Sequence, residues 1–317
     1  MIHGTPIQTV VKEIEQVTPR VKRFTLAPAD GRELPRFSGG AHILTRVGVG
    51  EQVWQRPYSL CGDPHIRAVY QIAIRLQKNS LGGSVFWHHQ VRKGQKVTIS
   101  WPQNHFPMSH RARHHVFFAA GIGITPFLPM MADAEERGET FELHYAAPTR
   151  EQCAFYDEIQ SRYKGCCRFY FSQEGKRMRP DVMKDQSVGT HVYFCGPAAM
   201  VEAYRKAAIS YGYPQKSIHY ELFIPPAVED AKPFEVELRH SGKTLQVPAE
   251  KTLLEVLLNS GVEVPFACRM GRCGTCAVGV AAGEVKHRDV ILSDEEKKTK
   301  IVSCVSRSTS TKLVLDF

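Results

Sequence analysis

The first 109 residues alternate short apolar-rich runs with Gly, Pro and Asp: VTPRVKRFTLAP, HILTRVGV, YQIAIRLQ and KVTISWP. Runs of this kind predict short strands in a small antiparallel barrel or sandwich. GGSVFWHHQV is the one helix expected among them. After Arg113 the pattern changes. HVFFAA is continuously apolar, as a strand buried on both faces requires. GIGITPFLPMMADAEERG reads as a turn and helix, FELHYAA as a strand, REQCAFYDEIQSRY as a helix, and CRFYFS as a strand. HVYFCG and PAAMVEAYRKAAISYG repeat the alternation. Strand and helix in turn predict a doubly wound parallel α/β unit.

FIPPAVEDAKP is rich in proline and charge, and reads as an extended linker over 224–233. Past it, FEVELRHSGKTLQVP predicts a hairpin turning at Ser241-Gly242. KTLLEVLLNSG predicts a short amphipathic helix ended by Gly261. The expected organisation is therefore a β-barrel over 1–109, an α/β domain over 110–223, the linker, and a small C-terminal domain over 234–317.

Composition narrows the class. The 317 residues are 43% hydrophobic and 23% charged, ordinary for globular protein. No apolar run is long enough to span a bilayer, so no membrane association is expected. The opening MIHGTPIQTVVKEIEQV lacks a basic flank before an apolar core, so no signal peptide is expected. The net charge of +9 lies almost wholly before residue 233 and suits an anionic dinucleotide or an acidic partner as well as a solvated surface. It forms no dense basic tract, and nucleic acid is not an expected partner. The nine cysteines are odd in number and four cluster near the C-terminus, which points to a reducing, cytoplasmic setting and a metal site. Cys61, Cys153, Cys166 and Cys167 are expected as buried small hydrophobes. The 14 histidines match no metal spacing and are expected at the surface or in packing.

The strongest motif is Cys268-x4-Cys273-x2-Cys276, with Cys304 a further 27 residues on. This is plant-type 2Fe–2S spacing. Three thiolates on one tight loop wrap a compact iron–sulfide core, and a fourth returns from a distant strand. Gly271 and Gly274 let backbone amides approach the sulfurs and tune the potential. A zinc site usually shows two Cys-x2–4-Cys pairs, and only one such pair occurs here. The preceding hairpin and helix suit a β-grasp ferredoxin fold.

Two weaker signals precede it. Ala119-Ala120-Gly121-Ile122-Gly123-Ile124-Thr125-Pro126 follows an apolar strand directly. Its glycines permit close backbone approach to a pyrophosphate, although it is not G-x-G-x-x-G and is by itself equally a plain strand–helix turn. Phe194-Cys195-Gly196-Pro197 ends a later strand at the same edge, where ligands of open α/β sheets bind. Cys195 there is a polarizable wall for a nicotinamide rather than a nucleophile. In the barrel, Arg56-Pro57-Tyr58-Ser59-Leu60 offers a cation for phosphate, a ring to stack on isoalloxazine and a hydroxyl for its N5. Gly82-Gly83-Ser84 opens the barrel's helix as a phosphate cradle.

RPYSL, GGS, AGIGITP, FCGP and C-x4-C-x2-C…C, in this order, resemble the phthalate dioxygenase reductase family. The resemblance implies an FMN-binding β-barrel, with FAD the lesser alternative, an NAD(P)-binding α/β domain and a plant-type 2Fe–2S ferredoxin domain. It implies that Arg56, Tyr58 and Ser59 contact the flavin and that Gly82, Gly83 and Ser84 hold its phosphate. Gly121, Gly123 and Thr125 would face the nucleotide, Cys195 and Gly196 would bracket the nicotinamide, and Phe223 in HYELF would wall the flavin. It further implies a Rieske-type oxygenase as electron acceptor.

Two positions depart from the family pattern. Leu81 stands where an arginine often precedes GGS, which shifts phosphate neutralisation onto Arg56. For the adenosine ribose, Glu174 suits NADH, whereas Ser172, Lys176 and Arg177 would suit the 2′-phosphate of NADPH; NADH is the expectation. A flavin is needed because hydride carries two electrons and the cluster takes one. A stand-alone diaphorase and a redox-sensing binding module are the competing readings.

Overall fold

The structure is a computed structural model that describes residues 5–50, 52–77, 82–223 and 231–317. Leu81 and most of the expected linker lie outside the described residues. The described chain divides into two compact units, 5–223 and 231–317.

The larger unit begins with β1 (Ile7–Thr18), β2 (Val21–Pro28), β3 (Ala41–Val49), β4 (Gln52–Ser59), β5 (Tyr70–Arg75), α1 (Gly83–His89), β6 (Lys96–Ile99) and β7 (Gln103–Asn104). The strands pair antiparallel in the order β4-β3-β6-β1-β2-β5, with β7 beside β3. An antiparallel bridge from Leu60 to Ile72 brings the two edges together. The sequence expectation of an antiparallel barrel is met. Inward positions such as Val11, Phe24, Leu26, Ile43, Ile72 and Ile99 are buried, each contributing roughly 1.5–3 kcal/mol. Trp87 of α1 meets Phe24 edge-on with ring centroids 4.7 Å apart. Register shifts at Val11/Glu13 and Gln16/Thr18 bend the long β1 around the barrel.

The same unit continues through β8 (His114–Ala120), a 3₁₀ turn (Gly121–Ile124), α2 (Phe127–Glu136), β9 (Phe141–Ala147), α3 (Tyr156–Arg162), β10 (Cys167–Phe171), β11 (Thr190–Cys195), α4 (Ala198–Ser210) and β12 (Ile218–Glu221). All pairings are parallel, in the order β10-β9-β8-β11-β12. β8 is central, and alternate residues feed opposite cores: Phe117 and Ala119 on one face, Val116 and Phe118 on the other. The chain runs outward on one side of β8 and returns on the other, so the topological switch lies between β8 and β11.

Two expectations need correction. The helix read from Arg150 begins only at Tyr156, because Phe155 adopts a left-handed φ of 63° as it turns its ring into the core. Cys166 is exposed and Cys167 half-buried rather than both being core residues, since they lie where the chain leaves α3 and enters β10. Cys61 and Cys153 are buried as expected.

The smaller unit contains β13 (Phe234–Leu238), β14 (Thr244–Val247), α5 (Leu253–Asn259), β15 (Ala277–Ala282), β16 (Val285–Lys286), α6 (Asp294–Lys297), β17 (Lys300–Val302), β18 (Arg307–Ser308) and β19 (Lys312–Leu315). Its main sheet runs β14-β13-β19-β15-β17, with β13 and β19 parallel. α5 starts on a Thr252–Glu255 capping box and buries Leu253, Leu254, Val256 and Leu257. The turn of the β13–β14 hairpin carries Gly242 at φ 65°, where the sequence expects it.

Candidate functional site

At the switch point, β8 ends at Ala120, just before Gly121, and β11 ends at Cys195, and the register aligns Ala119 with Cys195. Gly123 has to be glycine: a Cβ there would lie 2.2 Å from the Cys195 carbonyl oxygen and 2.8 Å from the Gly196 amide nitrogen. The two loops named by the sequence are therefore in direct backbone contact. The Gly121 carbonyl accepts the buried Tyr145 hydroxyl at 2.9 Å, which anchors the loop to β9. Thr125 is buried, and its hydroxyl donates to the Ile122 carbonyl at 3.0 Å, closing the 3₁₀ turn. Cys195 is fully buried.

β4 carries Arg56, Tyr58 and Ser59 beside the start of α1. A Cβ on Gly83 would approach the Arg56 side chain at 3.1 Å, and one on Gly82, whose φ is 96°, would strike the Trp54 indole at 2.3 Å. Backbone and guanidinium thus adjoin, and the cradle is one that any side chain would fill. The Ser84 hydroxyl accepts the Gln77 amide at 3.3 Å. Tyr58 meets Trp87 edge-on at 6.1 Å, and burial pushes its phenol well above the usual range. A cation beside such a cradle, with an aromatic side chain one strand register away, is a donor set that fits a flavin phosphate and ring.

The sequence did not single out Glu221. Its carboxylate takes the Ser59 hydroxyl at 3.4 Å, and the register of β11 and β12 pairs Glu221 with Cys195. Ser59, Glu221 and Cys195 therefore come together where barrel and parallel sheet meet. Phe223, two residues further, is 39% exposed. Glu174 lies in the 3₁₀ turn after β10, with Lys176 Nζ 3.5 Å from its carboxylate.

In the smaller unit, the four motif cysteines fall into two pairs. All four are free thiols; Cys268 is hydrogen-bonded to Cys273, and Cys276 to Cys304. The Cys273 thiol is driven down to about 4 by its bond with Cys268, which rises in turn. Cys276 is lowered and Cys304 raised in the same way. The loop's backbone is turned for this pairing: Arg269, Gly271 and Gly274 have left-handed φ values of 56°, 70° and 72°. The Met270 amide donates to Cys268 Sγ at 3.3 Å, and the Ser303 hydroxyl and amide both hold the Cys276 carbonyl, at 2.9 and 3.1 Å. Among the described residues no three His, Cys, Asp or Glu side chains converge as for a single metal ion. Two thiol pairs instead fit a binuclear 2Fe–2S core, in which each iron takes two cysteines.

Glycine loops at the switch point, a cation beside a glycine-lined turn in an adjoining barrel and a paired-thiol loop fit a flavin-linked pyridine-nucleotide reductase that carries its own ferredoxin. Comparison with known proteins agrees. Residues 236–309 match a 2Fe-2S iron-sulfur cluster binding domain and residues 117–206 an oxidoreductase NAD-binding domain. The chain is 41% identical to the carnitine monooxygenase reductase subunit of Escherichia coli K12, over 96% of this chain and 97% of that one. It is 35% identical to phthalate dioxygenase reductase of Burkholderia cepacia, over 95% and 94%. A solved phthalate dioxygenase reductase, described as a modular structure for electron transfer from pyridine nucleotides to [2Fe-2S], superposes with a TM-score of 0.80 at 34% identity, covering 98% of each chain. The chain belongs to the phthalate dioxygenase reductase family. It is an NAD(P)H-dependent oxidoreductase that passes electrons through a flavin to a 2Fe–2S centre. Among the described residues no helix is long and apolar enough to cross a membrane.

Proposed function

We propose that this chain is the cytoplasmic reductase component of a Rieske-type oxygenase system, using NADH and FMN. The pairing of the four thiols two by two, in a chain that matches oxygenase reductase subunits end to end, carries this reading. The domain limits are 1–109 for the flavin barrel, 110–223 for the nucleotide domain, 224–233 for the linker and 234–317 for the ferredoxin domain. A bound flavin accepts a hydride as an electron pair and releases electrons singly.

The residues divide the work. Arg56 neutralises the flavin phosphate over Gly82, Gly83 and Ser84, Tyr58 lies against the ring, and Phe223 walls it. Ser59, held by Glu221, offers its hydroxyl at the hydride-accepting edge. Gly121, Gly123 and Thr125 shape the pyrophosphate loop. Cys195 and Gly196 bracket the nicotinamide, their backbone lying against Gly123 at the switch point. Glu174 pairs the NADH ribose hydroxyls and disfavours a 2′-phosphate. Cys268, Cys273, Cys276 and Cys304 ligate the irons. The oxygenase substrate is set by the partner, and relatives carry names as different as carnitine monooxygenase reductase subunit, phthalate dioxygenase reductase and vanillate O-demethylase oxidoreductase.

A visible spectrum with cofactor extraction, taken before and after NADH, tests the reading. FMN in the extract, two irons per chain and bleaching of both chromophores by NADH are expected. Loss of only the flavin band, with acceptors reduced at the same rate after iron removal, supports a stand-alone diaphorase instead.

A further inference from the structure

The segment His287-Arg288-Asp289 has no part in the reading above. Asp289 is buried, its side chain fully so. Its Oδ2 accepts the Leu292 amide at 3.1 Å. Its Oδ1 accepts the Ser306 hydroxyl at 3.2 Å and faces His287 Nδ1 at 3.3 Å. His287 Nε2 in turn donates to the Lys297 carbonyl at 2.9 Å, and the Arg288 amide donates to Ser306 Oγ at 3.1 Å. Two donors therefore converge on one carboxylate, the Leu292 amide on one oxygen and the Ser306 hydroxyl on the other.

The backbone around Asp289 also touches the cysteine loop. The Val290 amide donates to the Gly271 carbonyl at 3.1 Å. A Cβ on Gly271 would stand 2.6 Å from Val305 Cγ2 and 3.2 Å from Asp289 Cα. Gly271 lies between Cys268 and Cys273, and Ser306 is two residues past Cys304. Val290 and Asp289 together therefore fasten the loop that bears three of the thiols to the segment that brings the fourth.

We propose that Asp289 is a positioning residue for the iron–sulfur centre, and that its buried charge behind the loop holds the centre's reduction potential down. This rests on the reading of Cys268, Cys273, Cys276 and Cys304 as the ligands. A carboxylate shielded from water raises the cost of adding an electron nearby, because little solvent screens the two charges. The hydrogen bonds fix where that charge sits.

Two variants of the full-length, cluster-loaded chain test it, after iron and sulfide assay of the unaltered protein establishes the cluster itself. Asp289→Asn keeps the shape and removes the charge. A redox titration followed by EPR is expected to show easier reduction, by about tenfold in the one-electron equilibrium, ~59 mV. Ser306→Ala keeps the charge and removes one tie. Iron release to a ferrous chelator is expected to quicken several-fold while the potential stays put. An unmoved potential in loaded Asp289→Asn, or unaltered iron release from Ser306→Ala, overturns the proposal. If Asp289→Asn does not load, the Ser306→Ala rate decides alone.

Discussion

The backbone amide of Gly39 donates to Oδ2 of Asp133 at 2.6 Å, joining the barrel to α2 across 94 residues of sequence. His65 lies 3.6 Å from the other carboxylate oxygen. Both Gly39 and Asp133 are buried, and a Cβ on Gly39 would come within 2.5 Å of the Met130 backbone. The barrel and α2 are thus locked through a contact separate from the Ser59–Glu221 pair. Asp133→Ala strands a buried amide and is expected to cost about 1–3 kcal/mol. Urea unfolding followed by the fluorescence of the barrel's tryptophans measures it; an unchanged midpoint and slope would show the tie to be dispensable.

The close approach at the switch point yields a second expectation. In Gly123→Ala the new methyl meets the Cys195 carbonyl at 2.2 Å, so β8 and β11 must part or the loop must move. Overpacking of this kind costs about 1–3 kcal/mol. Because the displaced backbone is the proposed pyrophosphate cradle, KM for NADH is expected to rise by at least about tenfold, equivalent to ~1.4 kcal/mol of binding. Steady-state kinetics with a fixed artificial acceptor reads this directly. A stability loss with KM unchanged would detach the loop from nucleotide binding.

Much of this was legible in the sequence, for reasons that differ by residue. The alternation of strand and helix from β8 to α4 follows from local pattern, since β8 runs apolar and buried from Val116 to Ala119 on both faces. The cysteine loop was legible because ligand spacing along a tight turn is a covalent constraint. Glu221 and Asp133 were not. Their partners lie 162 and 94 residues away, and only the closed barrel brings them together. Phe155 misled in the opposite way: its local context reads as helix, but burial of its ring against the core outweighs that preference and delays α3.

Acid should weaken the larger unit through histidines at one end of the parallel sheet. His191 Nδ1 lies 2.9 Å from His219 Nε2, and His219 stacks on Tyr193 with centroids 4.4 Å apart. His115 joins them through the Tyr193 hydroxyl at 3.3 Å. Burial lowers both His115 and His219 from 6.5 to about 4. Glu139 lies 3.2 Å from His115 Nε2 without hydrogen-bond alignment, so burial governs that ring. Between pH 6.5 and 4 the unfolded chain binds more protons than the folded one, so stability falls as pH falls through that window. The loss levels off below about 4, and above 6.5 these rings contribute no slope. For His115 alone the full loss is ~3 kcal/mol. Urea titrations at pH 7, 6 and 5 should show a falling midpoint, flattened in His115→Phe. A midpoint constant over that range contradicts the burial argument.

Removing one thiol should break one pair and spare the other half of the reductase. Cys273 pairs with Cys268 on the loop, so Cys273→Ser breaks that pair and leaves the other. Cluster content and NADH-driven reduction of cytochrome c are expected to drop by at least ~100-fold, beyond the usual cost of losing an outer hydrogen bond to a metal site. Bleaching of the flavin by NADH should persist, since β4, α1 and the switch-point loops lie in the other compact unit. If cytochrome c were still reduced at the normal rate, the electrons would be leaving by another route.

The Ser59–Glu221 contact separates orientation from binding. Ser59 is 93% shielded, with 7% of its surface exposed, and its hydroxyl points at a carboxylate set opposite Cys195 in the β-ladder. A group held this way can fix the relative placement of two bound rings without adding to the affinity of either. Ser59→Ala should therefore lower the limiting rate of flavin bleaching in stopped flow by roughly 10²-fold, the size of effect that misplacement near a reacting centre brings. The NADH concentration for half-saturation should hardly move, because Ser59 lies on the barrel strand and not on the Gly121–Ile124 turn. Glu221→Gln preserves an oxygen acceptor for the hydroxyl, so it should retain most of the rate that Glu221→Ala loses. A Ser59→Ala protein with an unaltered limiting rate would leave the hydroxyl a purely structural tie between β4 and β12.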